Sequence, residues 1–227
     1  RHVALANYTL FREGAEAGEY HIEFGSNDMT MVFFMNQTCP NASLRAFFQN
    51  RDVRIALSHA IDRDLINDLV YDGLGTPRQY SPSEASPQFC EALSNAYLEY
   101  DPDLANEMLD AAGYAERSPD GFRVHPDGSG EEVSFILESF QPNYSDVYEI
   151  VTQQLAAVGI KVTYSLVERS LNYEHVAANT LESGLSDTSR AVLPLADPAF
   201  FLNISGHKHF GIAWCHYYLD PTQTTAE

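Results

Sequence analysis

The chain has 227 residues, with 13 lysines and arginines against 32 acidic residues, and its formal net charge is −19. This balance excludes a nucleic-acid-binding domain, which needs a basic surface to displace counterions from phosphates, and it excludes docking on anionic lipid through a polybasic patch. Apolar residues make up 44% of the chain, which is enough for a folded core at this length.

The N-terminal part of the chain predicts one strand. Residues 1–24 are expected to form a loop that leads into it. Residues 29–36 read Met-Thr-Met-Val-Phe-Phe-Met-Asn, an almost continuous apolar run that predicts a buried strand. The strand is expected to end in a turn-rich stretch, 36–43, with Pro40 as a breaker.

Apolar residues then recur at helical spacing. The positions i, i+3, i+4, i+7 and i+8 of residues 52–61 are apolar and predict a helix: Val53, Ala56, Leu57, Ala60 and Ile61. Asp62 is the predicted N-cap of a second helix, which Gly73 and Gly75 are expected to end. Residues 74–90 contain three prolines and predict a long loop.

A further helix is predicted between Asp101-Pro102, a cap followed by proline at the first helical position, and Gly113. Residues 121–137 resemble a hairpin, and their last six residues predict a strand.

A helix that begins at Ser145 and ends at Gly159 leads into the alternating segment 160–167, which predicts another strand. Strand, helix and strand over 133–167 form a βαβ unit, whose strands must pair in parallel. Residues 171–183 predict one more helix, and the chain beyond 184 predicts loops and short strands.

No sequence motif of an enzyme is present: there is no GxSxG elbow, no HExxH pair, no Walker loop and no GxGxxG after a strand. His207, His209 and His216 lie near Cys215, but we interpret them as packing or surface residues and not as a metal site. With Cys39 and Cys90, Cys215 makes an odd number of cysteines. One disulfide with a free thiol and three reduced thiols are both compatible with this number.

A polar and charged cluster, residues 186–190 (Ser-Asp-Thr-Ser-Arg), precedes the apolar residues 191–193. Open α/β sheets bind ligands where polar groups follow buried strands, so this cluster is a candidate ligand site. An ordinary surface loop is the alternative interpretation.

Four blocks of sequence carry a resemblance to a known family. Residues 51–67, RDVRIALSHAIDRDLIN, resemble the R-V-R-x-A-L-S-x-A-I-D-R-x-x-I signature of the family 5 extracellular solute-binding proteins of ABC importers. Residues 100–114, YDPDLANEMLDAAGY, are similar to the family's Y-D-P-x-x-A-x-x-L-L-x-x-A-G-[YF]. The two Asp-Gly pairs at 120–121 and 127–128 follow in the family's order. Residues 153–162, QQLAAVGIKV, are similar to its Q-x-x-L-x-x-x-G-I-x-V.

The resemblance implies an α/β fold of the type II periplasmic-binding-protein kind: a mixed sheet with flanking helices. Residues 1–227 would form a single domain, the second lobe of a two-lobed protein whose first lobe is absent from this chain. In the family, this lobe contacts the ligand through its first strand and through the loop before an Asp-Pro pair. These positions correspond to Phe34 and Asn36, and to Asp187 and Arg190. Trp214 is a further candidate as an aromatic wall.

The resemblance also implies the function. It predicts a non-enzymatic binding protein that captures a small solute, most simply a peptide, between two closing lobes and delivers it to ABC permease subunits. It implies no cofactor and no metal, a monomer, and a place in the periplasm or, through a lipid anchor, on the outer face of the cell membrane. A nickel chelate or an oligosaccharide as ligand stays open, as do a hydrolase and a sensor domain on the same fold.

Overall fold

The computed structural model describes residues 7–23, 30–188, 193–202, 204 and 209–222. The strands are β1 (Thr30–Met35), β2 (Ser134–Ser139), β3 (Lys161–Leu166) and β4 (Ser183–Thr188). The helices are α1 (Tyr8–Gly14), α2 (Ala42–Gln49), α3 (Arg51–His59), α4 (Arg63–Tyr71), α5 (Glu91–Ser94), α6 (Pro102–Leu109), α7 (Ser145–Ala157), α8 (Arg169–Ala177) and α9 (Ile212–Leu219). Within these ranges, no helix combines the length and the hydropathy that a membrane crossing requires.

The four strands form one mixed sheet in the order β1-β4-β2-β3. β2 pairs in parallel with β3 from Ser134↔Lys161 to Ser139↔Leu166, and in parallel with β4. β1 pairs antiparallel to β4. The predicted α/β class with a mixed sheet and the predicted βαβ unit are therefore confirmed.

The main core lies on one face of this sheet. Alternate strand residues point into it, and there the rings of Phe33 and Phe135 stack at 6.3 Å between centroids. α7 covers this face with Val151 and Leu155, because apolar residues three and four apart lie on one side of a helix. α2, α3 and α6 extend the same core.

Several helix boundaries differ from the sequence-based expectation. Residues 8–14 form α1 and not a loop, and none of their side chains is buried, which explains why no apolar periodicity marked the helix. α4 ends with Asp72 in the left-handed conformation (φ 52°), one residue before the predicted Gly73. Ser145 is the first residue of α7 and not its cap, since its Oγ donates to the Pro142 carbonyl.

Three further elements correct the prediction. The helix predicted over 171–183 is α8, which begins at Arg169 and ends at Ala177, and Asn179 follows with a positive φ of 56°. The chain then enters β4, which the sequence analysis did not predict as a central strand. α2 was also not predicted, although Asn41 caps it by accepting from the Leu44 N–H.

Candidate functional site at the carboxyl edge of the sheet

The topology of the sheet makes one edge suitable for binding a ligand. β2 lies between β3 and β4, and all three strands run in the same direction. The β2–β3 connection passes through α7 on the main core face, whereas α8, between β3 and β4, packs against Glu138 on the other face. Where neighbouring parallel strands send their connections to opposite faces, a crevice opens at their carboxyl ends. We call this end of the sheet the carboxyl edge.

Aromatic side chains and one arginine lie at the carboxyl edge. Phe140 directly follows β2, and Arg169 begins α8 three residues after β3. The Arg169 Cζ atom lies 5.2 Å from the ring centroid of Phe140 and 5.4 Å from that of Tyr173. Its Nε donates to the Tyr173 hydroxyl at 2.9 Å. The two rings, whose centroids lie 6.0 Å apart and whose planes meet at 62°, therefore hold the guanidinium in place.

Two tyrosines, the buried Tyr148 and the half-buried Tyr164, support this edge from the core side. Tyr148 of α7 donates to the Leu185 carbonyl of β4 at 2.5 Å, and its ring stacks on Tyr164 at 4.4 Å. Burial raises the pKa of Tyr148 far above its ordinary value, so the phenol stays protonated and keeps donating. The Tyr164 hydroxyl lies 3.1 Å from Ser145 Oγ at the start of α7. These contacts fix α7 to β3 and β4 beneath the crevice.

Phe34 and Asn36 lie at the opposite end of the sheet. Phe34 pairs with Gly184 near the start of β4, is buried, and contacts the His209 ring edge-on at 6.0 Å. The Asn36 side chain is completely buried. Its amide donates to Asn179 Oδ1 and to the Leu181 carbonyl, and its oxygen accepts from the backbone N–H and the hydroxyl of Thr38. Asn36 therefore joins the end of β1 to the segment between α8 and β4.

Of the other predicted site residues, Asp187 lies apart from this pair and Trp214 lies on a helix next to it. Asp187 is in β4 and pairs with Met31, three residues from the Phe34–Gly184 pair, a separation of about 10 Å along the strand. Arg190 lies outside the described residues. Trp214 is 40% exposed on α9, whose Ala213 N–H donates to Thr38. The structure thus places Phe34, Asn36 and Trp214 near the start of β4 and Asp187 toward its carboxyl end.

A half-open cavity of about 220 Å³ lies on the face of the sheet that α8 covers. The buried Glu138 carboxylate lines it, and this group accepts from Asn172 Nδ2 at 2.8 Å and pairs with His175 Nδ1 at 2.7 Å. Glu182 also lines it, and burial raises the pKa of that carboxyl group. Both Glu138 oxygens are thus occupied by α8, which indicates that the cluster attaches this helix to β2.

The cysteine and histidine residues form no metal site in the part of the chain that the structure describes. No three His, Cys, Asp or Glu side chains there are arranged to hold a metal ion. No disulfide joins the three cysteines, of which Cys39 and Cys215 are buried and Cys90 is exposed. Burial, with the nearby Glu182 carboxylate, raises the pKa of Cys39 to about 11, so its thiol stays protonated at neutral pH. His207 lies outside the described residues.

Sequence analysis missed the residues that meet at the carboxyl edge: Phe140, Arg169 and Tyr173. One signal was available, because Phe140 and Arg169 come shortly after the two predicted parallel strands. The ends of parallel strands meet at one edge, so residues that follow them become neighbours.

An open mixed sheet with aromatic groups and an arginine at its carboxyl edge is typical of α/β ligand-binding domains. A profile of the bacterial extracellular solute-binding proteins, family 5 Middle, matches residues 5–209. The chain therefore belongs to family 5 of the bacterial extracellular solute-binding proteins, a family of binding proteins and not of enzymes.

Individual relatives agree with this assignment. The chain is 32% identical over 131 residues to the oligopeptide-binding protein AppA of Bacillus subtilis, covering 57% of this chain and 24% of that protein. It is 28% identical over 123 residues to the heme-binding protein A of Haemophilus influenzae, covering 53% and 20%. The chain thus spans about a quarter or less of the length of these relatives.

Solved structures show the same fold. The oligopeptide-binding protein OppA matches with a TM-score of 0.81 and 30% identity, over 99% of this chain and 36% of that chain. NikA from Brucella suis, in complex with Fe(III)-EDTA, matches with a TM-score of 0.67 and 21% identity, over 95% and 41%, which is a likeness of fold alone.

Proposed function

We propose that this chain is the second lobe of a binding protein that captures a peptide for an ABC importer. The observation that supports this most directly is the likeness to two oligopeptide-binding proteins, at 32% and 30% identity. The carboxyl edge would form one wall of the ligand cleft, and the first lobe, outside this chain, would form the other. Closure of the lobes on the ligand would then produce the state that the permease subunits recognise.

The chemistry of the edge suits a ligand that is bound and not transformed. Phe140 and Tyr173 offer apolar surface, and Arg169 offers hydrogen-bond donors. Small-molecule sites usually combine apolar walls with a few polar groups in this way. Contacts from Phe34, Asn36, Asp187, Arg190 and Trp214 stay predictions. The proposed place of the protein is outside the cytoplasm, in the periplasm or anchored by lipid on the outer face of the membrane, as a monomer.

Calorimetric titration tests the two-lobe proposal. Alanine peptides of two to five residues would be titrated into the full-length protein and into the 227-residue chain. We expect the full-length protein to bind at least one peptide and the chain to bind it at least about a hundredfold more weakly, because the contacts of one lobe are missing. Equal affinity in both proteins would contradict closure of two lobes.

Two controls separate the alternatives. Stachyose and a nickel chelate are titrated in parallel, and tight binding of either one, with no binding of peptide, would replace the peptide as ligand. Chromatography of the peptide after prolonged incubation tests for a hydrolase, which would shorten it. We expect the peptide to be recovered intact.

A further inference from the structure

We propose that this chain carries a second binding site, for a small organic anion, in a cavity at the end of the sheet opposite to the carboxyl edge. Arg45 and His216 supply the hydrogen-bond donors that would hold the anion. This inference does not depend on the proposed function, because the cavity lies away from the proposed wall of the ligand cleft.

Four segments of the chain meet around this cavity. Its volume is about 380 Å³, and it is lined by the turn after β1, by α2, by the end of α8 and by α9. Thr38 and Asn179 line it, but their side-chain polar atoms are already engaged. The Thr38 hydroxyl bonds to Asn36 and to the Ala213 N–H, and the Asn179 amide bonds to Asn36 and to the Thr38 carbonyl. A polar ligand must therefore be held by other residues of the lining.

The guanidinium group of Arg45 has one edge that the protein does not occupy. Nη1 donates to the carbonyls of Cys39 at 2.8 Å and Pro40 at 3.1 Å, which holds the half-buried side chain in place. Among the described residues, no acceptor engages Nε or Nη2, and no carboxylate pairs with the group. These two nitrogens present parallel N–H groups in one plane, an arrangement that matches two oxygens of a carboxylate or a phosphate.

His216 of α9 adds a second donor. Its half-buried ring lines the same cavity, and no described residue forms a hydrogen bond or an ion pair with it. A ring N–H can therefore donate to the anion that Arg45 holds. The rest of the lining consists of Pro40, Ala177 and Ala178, which suits the apolar part of an organic anion.

The charge of this lining is the reverse of the charge of the whole chain. Acidic residues outnumber lysines and arginines by 32 to 13 in the sequence, yet within the described ranges no acidic side chain lines this cavity. The cavity on the face that α8 covers is lined, by comparison, by Glu138 and Glu182. Because the chain repels anions over most of its surface, a cavity with an arginine and no carboxylate is where an anion can bind.

The end of α8 opposes this effect only in part. The C-terminal end of a helix carries partial negative charge, which disfavours an anion. Here the carbonyls of Glu174, His175 and Val176 accept from the N–H groups of residues 178–180 at 2.9–3.1 Å. These bonds engage three carbonyls of the last turn and so reduce the negative potential that they add.

The alternative is that Arg45 only anchors the turn after β1. The chain contains a matched residue for this comparison. Arg54 is also half-buried, and its Nη1 donates to the carbonyl of Phe48, six residues earlier, as Nη1 of Arg45 donates to that of Cys39. Arg54 lines neither of the two cavities. A site for an anion must therefore distinguish Arg45 from Arg54.

Nuclear magnetic resonance of the 227-residue chain tests the inference. Propionate and inorganic phosphate are titrated separately at pH 7 and constant ionic strength, and propionamide is the neutral control. The backbone N–H signals of Thr38 and Asn179, which line the cavity, report binding. We expect at least one anion to shift both signals until they saturate, and we expect propionamide to bind at least about tenfold more weakly, because it lacks the charge.

Four variants test the two donors. Arg45→Met should weaken binding of the anion at least about tenfold, as expected for the loss of a hydrogen-bonded charge pair, and Arg45→Lys should restore part of it. His216→Phe keeps an aromatic ring but has no N–H, and it should weaken binding about three- to tenfold. Arg54→Met should bind the anion as the wild type does.

Binding of propionate alone would identify the ligand as a carboxylate, and binding of phosphate alone would identify it as a phosphate. The inference is wrong if neither anion gives saturable shifts, if propionamide binds as tightly as the anions, or if Arg45→Met and Arg54→Met weaken binding equally. If circular dichroism shows that Arg45→Met does not fold, His216→Phe decides: weaker binding supports the site, and unchanged binding overturns it. Failure of the peptide titration would leave these results unaffected.

Discussion

Arg123 shows how a single buried cation can join three separate parts of the chain. Its side chain is completely buried, and Nη1 lies 2.5 Å from Asp110 Oδ1 while Nε donates to the Val158 carbonyl. Further bonds reach the Tyr114 carbonyl and Asn106. One side chain thus satisfies acceptors at the end of α6, in the turn that follows it, and at the end of α7. Burial lowers the pKa of Arg123, whereas the bond to Asp110 favours its charged form.

Replacement of this residue tests its structural role. Arg123→Met should lower the free energy of unfolding by at least about 3 kcal/mol, because it leaves several buried acceptors without a donor. Urea unfolding of the 227-residue chain measures the change. Arg117→Met is the control: Arg117 also donates to Asn106 Oδ1 but is exposed, so its loss should cost about 1 kcal/mol or less. An equal decrease of the free energy of unfolding in the two variants would contradict the structural role of Arg123.

At the scale of elements, the tight connection between α7 and β3 fixes the parallel pairing on which the carboxyl edge depends. Gly159 has a φ of +84°, and its carbonyl accepts from the Arg123 N–H at 2.7 Å. A Cβ atom at this position would collide with Arg117 Nη1 and lie 3.1 Å from the buried Arg123 Cγ. Glycine is therefore required here both for the backbone conformation and for packing.

Two glycine variants separate these two requirements. Gly121 has a similar φ of +87°, but a Cβ there would meet nothing within 4 Å. Gly121→Ala should therefore cost only the backbone strain, about 1–2 kcal/mol. Gly159→Ala should cost at least about 1 kcal/mol more, because the buried Arg123 cannot move freely. Urea unfolding of both variants under the same conditions gives the midpoints and slopes from which the free energies of unfolding are calculated. An equal decrease of this free energy in the two variants would show that packing at Gly159 is unimportant.

The sequence predicted those elements whose own residues carry a strong pattern. β1 is apolar nearly throughout, and α3 has an apolar stripe bounded by caps, so both were predicted. β4 contains one large apolar residue, Leu185, and becomes a strand because β1 and β2 pair with it on either side. The contact between Arg169 and Phe140 could not be predicted from local sequence either, because the two residues become neighbours only through the parallel pairing of β2 and β3.

At the scale of the whole molecule, the large negative charge opposes compactness. Only 13 basic residues balance 32 acidic ones, so repulsion between carboxylates is stronger in the folded chain than in the extended one. Few ion pairs offset it: within the described ranges, Lys161–Glu132 and Arg123–Asp110 are those that involve lysine or arginine. Dissolved salt should screen this repulsion at distances beyond about 10 Å.

Salt should therefore stabilise the chain. Between 0.02 and 0.5 M NaCl at pH 7, the midpoint of thermal unfolding should rise by at least about 2 °C, which corresponds to somewhat under 1 kcal/mol for a chain of this size. The same pair of scans near pH 4.6, where the sequence is close to neutral, is the control and should show a smaller change. A midpoint that falls with salt at pH 7 would show that attractive pairs dominate.

The position of β4 has a consequence for how this chain is made. β1 emerges from the ribosome before β2, β3 and β4, yet among the described residues its only partner in the sheet is β4, the last strand to be synthesised. Until then the backbone N–H and C=O groups of this apolar segment are unpaired, and such groups can pair with strands of other chains. The nascent protein should therefore depend on chaperones that shield residues 30–35 until residues 183–188 arrive, and a translation stop before that point would release a chain prone to aggregate.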